Sequence, residues 1–295
     1  MFTFHVLTDF SAAATNALHY AVVLGRHVGG QVRLWHVLPE AAGFDAPYFG
    51  GLREARPVAE AQYLLQELVK RVQQHLPCSA ALITEKPTQK LTALIGTGSG
   101  NVVVVGNGNP VKAMRHAGTS TALHLIKTLA QPLLVVPNTY RAGRIPSRIV
   151  LDTDRRAVRL PQAAETITGL LAQLTTSPEP LTLTHLSSDV DELLTRIIPS
   201  VIGLHVYTSE SSPAMEDVAS RIRQMGLLEG VAHTVTSARH PCVEEGIRHA
   251  ADRHRADLLT FVTRQRMFAG RQFLQSVTAG LLAHSRIPVL TIPEA

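Results

Sequence analysis

The sequence predicts an α/β protein of two tandem doubly wound domains, and three observations carry that prediction. Strand-like and helix-like stretches alternate along the chain, the pattern of open parallel sheets with crossover helices. The same landmarks occur twice: residues 4–11 and 149–154 each bring an apolar run to a Thr-Asp pair, and residues 132–137 and 288–293 are each a short apolar run between prolines. Asp9 and Asp154 are 145 residues apart and the proline-bounded runs 156, longer than any solenoid period, so the repeat reads as a duplication. At 295 residues, each half can bury its own core. The expected domains are 1–140 and 148–295, joined by the linker Arg141–Arg148, which holds Gly, Pro, Ser and arginines.

Residues 2–8, rich in Phe, Val, Thr and Leu, suit a buried strand. Ser11 is a good N-cap for a helix over about 12–27, whose Ala13, Ala17, Tyr20, Ala21 and Leu24 fall at helical spacing. Gly29-Gly30 ends it. A strand at 31–38 follows, then a looser Pro39–Gly51 segment read as a loop or flap. A helix over 58–75, a strand at 80–84 and a short helix at 88–96 come next. Residues 101–106 form an apolar run of the kind buried on both sheet faces. A polar loop, a helix over 119–130 and a strand at 132–136 close the half. The second half reads as strand 148–153, helix 157–174, strands 181–186 and 201–207, helix 213–225, strand 231–236, helix 242–254, strand 256–262, helix 276–285 and strand 288–292.

Composition narrows the function classes. No apolar stretch reaches the about 20 residues of a membrane span, and the N-terminus shows no signal-peptide pattern. Two cysteines, Cys78 and Cys242, lie at different points of the repeat, so a disulfide framework is not expected and a cytoplasmic location is. The net charge of +5 comes from scattered basic residues with no nucleic-acid motif, so no nucleic-acid partner is expected. The 14 histidines include no zinc spacing, and no metal site is assigned. Nucleophile-elbow and Walker-type motifs are missing, and Glu244-Glu245 and Asp189/Asp191 read as solvated faces, so no catalytic residue is assigned.

In doubly wound sheets the binding crevice lies beyond the C-terminal strand ends. Thr8-Asp9, Val37 and Gly106 stand at three such ends. Gly106-Asn107-Gly108-Asn109 follows a buried strand, and Gly118-Thr119-Ser120-Thr121 opens a helix; glycines admit a phosphate to the backbone, and a helix N-terminus supplies free N–H donors. The same residues also serve plain turn and N-cap chemistry.

Leu7-Thr8-Asp9-Phe10-Ser11, Leu34-Trp35-His36-Val37, Val103-Val104-Val105-Gly106 and the closing 131–136 run resemble the universal stress protein family, as do Ala256-Asp257-Leu258-Leu259 and Ile287-Pro288-Val289-Leu290 in the second half. The resemblance covers nearly the whole chain. It implies five parallel strands per half in the order 3-2-1-4-5, helices on both faces, and a role in stress response. Some members bind ATP, with an Asp after strand one and the end of strand two meeting adenosine, and a Gly-x-x-Gly-x9-Gly-Ser/Thr loop holding the phosphates.

That loop is partly kept here. Counting back from Gly118 reaches Gly108, with the first spacer one residue short; holding Gly106 fixed puts Asn109 and Thr119-Ser120 at the later positions. Asn tolerates positive φ, whereas the methyl of Thr119 crowds the site. Pro110 removes a donor, and Lys112 and His116 add charge. In the second half Thr263-Arg264-Gln265-Arg266 and Gln275-Ser276 stand where glycines belong, and Gly270 lies elsewhere. Arg264, Arg266 and Arg271 read as solvated, so no nucleotide is expected there. Asp9 and Asp154 also suit capping of the following helix.

The expectation is a non-catalytic binding or regulatory protein. If it takes ATP or AMP, with Mg, the contacts are Thr8, Asp9, Val37, Gly106, Gly108, Gly118, Thr119 and Ser120 in the first half. The alternative is a ligand-free tandem interaction scaffold, with slow ATP hydrolysis a weaker one. The closing strands 132–136 and 288–292 resemble the family's dimerising edge, which implies pairing of the two halves within the chain; left exposed, such apolar edges invite association between copies as a homo-oligomer.

Overall fold

The computed structural model describes residues 1–38, 57–84, 87–96, 98–108, 121–141, 143–153, 163–176, 200–208, 214–263 and 277–294. The first half contains β1 (Thr3–Leu7), α1 (Ala12–His27), β2 (Gln31–Val37), α2 (Val58–Gln73), β3 (Cys78–Ile83), α3 (Pro87–Ile95), β4 (Asn101–Asn107), α4 (Thr121–Thr128) and β5 (Leu133–Pro137). The second contains β6 (Arg148–Asp152), α5 (Ala163–Thr175), β7 (Ser200–Tyr207), α6 (Met215–Met225), β8 (His233–Arg239), α7 (Val243–Arg253), β9 (Leu258–Thr263), α8 (Val277–His284) and β10 (Val289–Pro293). The expected Pro39–Gly51 loop and the 181–186 strand lie outside the described residues. Position two of the second half is filled by β7, so that half reaches five strands without the 181–186 run.

All ten strands form one sheet, in the order β3-β2-β1-β4-β5-β10-β9-β6-β7-β8. Each half therefore has the 3-2-1-4-5 order, with parallel pairing inside it. The joint is antiparallel: Val289 faces Val135, Leu290 faces Leu134 and Thr291 faces Leu133. In the 156-residue repeat Leu290 is the counterpart of Leu134, so each is paired with its own equivalent. A pseudo-twofold axis therefore passes through that pair, giving within one chain the self-complementary interface of a twofold dimer. The intramolecular pairing expected from the sequence is present.

Helices cover both faces. The four valines Val102–Val105 show how the sequence supports this: Val102 and Val104 join one core layer, Val103 and Val105 the other. α1, α2, α5 and α6 bury their apolar residues in the first layer; α3, α4, α7 and α8 bury theirs in the second. Both layers contain residues of both halves. Further ties cross the joint. Thr166 Oγ1 accepts from Gly100 N at 2.9 Å, and His27 Nε2 donates to the Gln173 carbonyl at 3.0 Å. Asp257, 7% exposed, holds the start of β6: its Oδ2 accepts from Ser147 N and Oγ at 3.2 and 3.0 Å, and its Oδ1 from Arg148 N at 3.0 Å.

Helix ends follow local sequence. Ser11 Oγ accepts from Ala14 N at 3.2 Å, as an N-cap should, and Gly29 takes φ 60 beyond α1. Cys78 and Cys242 are both free thiols, and burial pushes Cys78 up to about 11. No helix among the described residues is long and apolar enough to cross a membrane.

A buried polar chain links three strands of the first half to the turn before β4. Trp35 Nε1 donates to His5 Nδ1 at 3.1 Å, and His5 Nε2 donates to Asn101 Oδ1 at 2.9 Å. Asn101 Nδ2 in turn donates to the carbonyls of Ile95 and Gly98 at 3.1 and 3.0 Å. Neutral His5 satisfies every partner; a second ring proton would point at the Trp35 N–H. Burial lowers the His5 pKa below 6.5, the Asn101 bond opposes this, and Arg33 adds to the lowering. The folded state thus binds this proton more weakly than the unfolded one. Stability from neutral His5 is fully present above about pH 6.5 and is lost as the pH falls below that value toward the lower folded pKa. Urea unfolding followed by fluorescence of Trp35, the single tryptophan, should show a larger loss between pH 7.5 and pH 5 for the parent than for His5→Gln. Equal losses would exonerate His5.

Candidate functional site

The parallel register brings the C-terminal ends of β1, β2 and β4 to one sheet edge, with Leu7 beside Trp35 and Val6 beside Val104. Strand order reverses between β1 and β4, which makes this edge the switch point of the half. Thr8, Asp9, Val37, Gly106 and Gly108 all lie there. Gly118, Thr119 and Ser120 lie outside the described residues, as do Asn109, Pro110, Lys112 and His116.

The turn after β1 is held from several sides. Thr8 N donates to the Trp35 carbonyl at 2.8 Å, and His36 Nδ1 donates to the Thr8 carbonyl at 2.8 Å. Thr8 Oγ1 accepts from Phe10 N at 3.1 Å, and Asp9 Oδ1 accepts from Ser11 N at 3.0 Å. Phe10 sits at φ 63, unusual for a residue with a β-carbon, and its ring lies 4.6 Å from that of His36. Ser11 was the expected cap of the helix, with Asp9 also suited to that role beside an adenosine contact. Ser11 is the cap, and Asp9 shapes the turn just before it, because its carboxylate meets the N–H two residues on. Asp9 is half-buried, while Thr8 and Val37 are buried.

The two glycines after β4 differ. A β-carbon on Gly106 would collide with the backbone of Ala13 and Ala14 in the first turn of α1. Gly106 is thus required by helix-on-strand packing, independently of any ligand. A β-carbon on Gly108 would meet only the Ala13 methyl, at an ordinary 3.7 Å, and Gly108 is exposed. Between them, Asn107 Nδ2 donates to the Leu282 carbonyl in α8 at 2.8 Å, so the residue between the two candidate glycines is committed to the joint between halves.

The second half repeats the inner frame. Thr153 N donates to the Leu204 carbonyl at 2.8 Å, and His205 Nδ1 donates to the Thr153 carbonyl at 3.1 Å. His36 and His205, 4% and 2% exposed, are equivalent residues in equivalent strands. Sequence reasoning missed both as organisers of the edge, although the signal was present as His-Val in each second strand, His36-Val37 and His205-Val206. Asp154, Arg264, Arg266, Gly270, Arg271 and Ser276 lie outside the described residues. Among the described residues, no cluster of three or more His, Cys, Asp or Glu side chains could hold a metal ion.

Two five-stranded halves of equal order in one sheet, each with a buried histidine holding its first turn, define a duplicated doubly wound α/β protein. The universal stress protein family matches in two segments, residues 3–137 and 170–293, and the chain belongs to that family. Among solved structures, a universal stress protein from Archaeoglobus fulgidus is similar over 99% of this chain and 96% of its own, with a TM-score of 0.66 at 14% identity. A putative universal stress protein from Pseudomonas aeruginosa is similar over 99% and 93%, with a TM-score of 0.52 at 12% identity. The cytoplasmic domain of a prokaryotic cation chloride cotransporter is similar over 98% and 94%, with a TM-score of 0.52 at 10% identity. These likenesses concern the fold. No curated protein matches the chain in sequence.

The contrast between the glycines is measurable. Gly106→Ala should cost at least about 1–3 kcal/mol through overpacking against backbone. Gly108→Ala should change stability by less than about 1 kcal/mol. Urea midpoints of the two variants check this; equal costs would mean that Gly106 has room.

Proposed function

We propose that this is a non-catalytic, cytoplasmic stress-response regulatory protein whose first half, residues 1–140, takes ATP or AMP at the switch-point edge. The second half, residues 148–295, serves as its structural partner. Gly108 is the observation that carries the reading. It lies at the switch point, exposed and with no packing demand for the missing side chain, so its backbone is open to a phosphate. Asp9 and the end of β2 at Val37 stand where the family resemblance puts adenosine. Thr8 and Gly106 belong to the same site as its frame, and Gly118, Thr119 and Ser120 complete it as proposed phosphate contacts. Mg²⁺ would enter with the phosphates.

A second reading, a ligand-free tandem scaffold, is favoured by the structural commitments of Gly106 and Asn107. Calorimetric titration with Mg-ATP and with AMP separates the two. The nucleotide reading expects saturable heat at micromolar ligand and at least tenfold weaker binding by Gly108→Val, a variant expected to stay folded. No heat at high micromolar nucleotide would leave the scaffold reading; binding untouched by the variant would place the ligand elsewhere.

A further inference from the structure

A cavity of about 440 Å³ opens where the linker meets the second half, lined by Tyr140, Arg141, Arg144, Arg255, Asp257 and Ile287. That size falls within the roughly 300–1,000 Å³ of small-molecule sites. Three guanidinium-bearing residues face one carboxylate. Both Asp257 oxygens accept from Ser147 and Arg148, and Arg144 Nη2 lies 3.7 Å from Oδ2, so the lone lining carboxylate is engaged by the start of β6 while three arginines stand around the cavity. Tyr140 adds a hydroxyl donor; burial and Asp257 raise its pKa and keep it protonated, against a smaller opposite effect of Arg144.

An independent feature concerns Arg255. Among the described residues, four helices end by passing through the left-handed region. After α1, α3 and α6 the residue there is Gly29, Gly96 and Gly226, at φ 60, 70 and 68. After α7 it is Arg255, at φ 50, although the turn is of the same kind: Ala256 N donates to the Ala251 carbonyl at 2.8 Å, as Gly30 N does to Gly25. A β-carbon makes this conformation unfavourable. The chain thus carries an arginine where it elsewhere uses glycine, at the rim of a cavity with two more arginines. Local strain of this kind, retained where an easier residue exists, points to use of the side chain.

We propose that this linker cavity is an anion site for a compact diphosphate group, gripped by Arg141, Arg144 and Arg255. Arginine forks match phosphate oxygens, and three of them suit a multiply charged oxyanion better than a carboxylate. The site is distinct from the switch-point edge of the first half: its residues come from the linker and from the N-terminal side of β9 and β10. A bound diphosphate would tie the linker to the second half. Its source is either free pyrophosphate or the tail of a nucleotide.

Calorimetry at constant ionic strength tests this with inorganic pyrophosphate and, in a separate arm, ADP, each on the parent chain, Arg255→Gly and Arg144→Gln. The site predicts that Arg255→Gly raises the thermal midpoint, because glycine relieves the left-handed residue, and yet weakens binding at least tenfold. Arg144→Gln should weaken binding without that rise. Sensitivity of the pyrophosphate arm to both variants identifies the free anion; sensitivity of the ADP arm alone identifies the nucleotide tail. No heat at millimolar concentration in either arm, or heat that both variants leave unchanged, would overturn the proposal. The rise in midpoint shows that Arg255→Gly is folded, so lost binding would not be mistaken for unfolding.

Discussion

The antiparallel pairing of β5 with β10 is the constraint on which the rest of this structure depends. Each closing strand is a short apolar run whose residues are buried throughout. Left as the edge of a five-stranded sheet, such a strand offers unpaired backbone groups and apolar side chains to any neighbour. Pairing Leu134 with Leu290 removes both edges at once and makes the two halves one sheet. Because the axis runs through equivalent residues, helices of the same kind fall on the same face. Each core layer can then continue from one half into the other.

This joint also decides what the candidate loop residues do. The C-terminal edge of the first half and the N-terminal edge of the second lie on the same side of the sheet, since the two halves run in opposite directions. Asn107, at the end of β4, therefore meets the last turn of α8, and the linker meets the start of β9. The first-half edge is built between two sets of demands. Gly106 and Asn107 serve packing and the joint, whereas Gly108 and Asp9 remain beside the crevice. Within each half, a buried histidine fixes the carbonyl of the threonine that follows the first strand. The repeat of that lock shows that it belongs to the scaffold shared by both halves.

Features with local causes were legible in the sequence. Ser11 caps its helix through an N–H three residues away, and Gly29 ends it by its own backbone freedom. The four valines of β4 announce a strand covered on both sides. Most element boundaries fall within two or three residues of those read from periodicity. The candidate site was legible as a set of strand ends, because parallel sheets bind at those ends, but the role of each residue there was not. Asp9 suited either a ligand contact or a helix cap, and its carboxylate is found accepting from the N–H of the cap residue Ser11 instead of from the helix's first turn.

The sequence by itself determined the duplication, the alternation of strands and helices, and the difference between the two halves at their glycines, since these depend on order and near neighbours. The tertiary structure alone decided why Gly106 is glycine, because the backbone it admits belongs to Ala13, 93 residues earlier. It likewise decided that Asn107 reaches Leu282, that Asp257 pins Ser147 and Arg148, and that Arg255 meets the linker arginines at one cavity. Those partners are far apart in the chain, and only the assembled sheet brings them together.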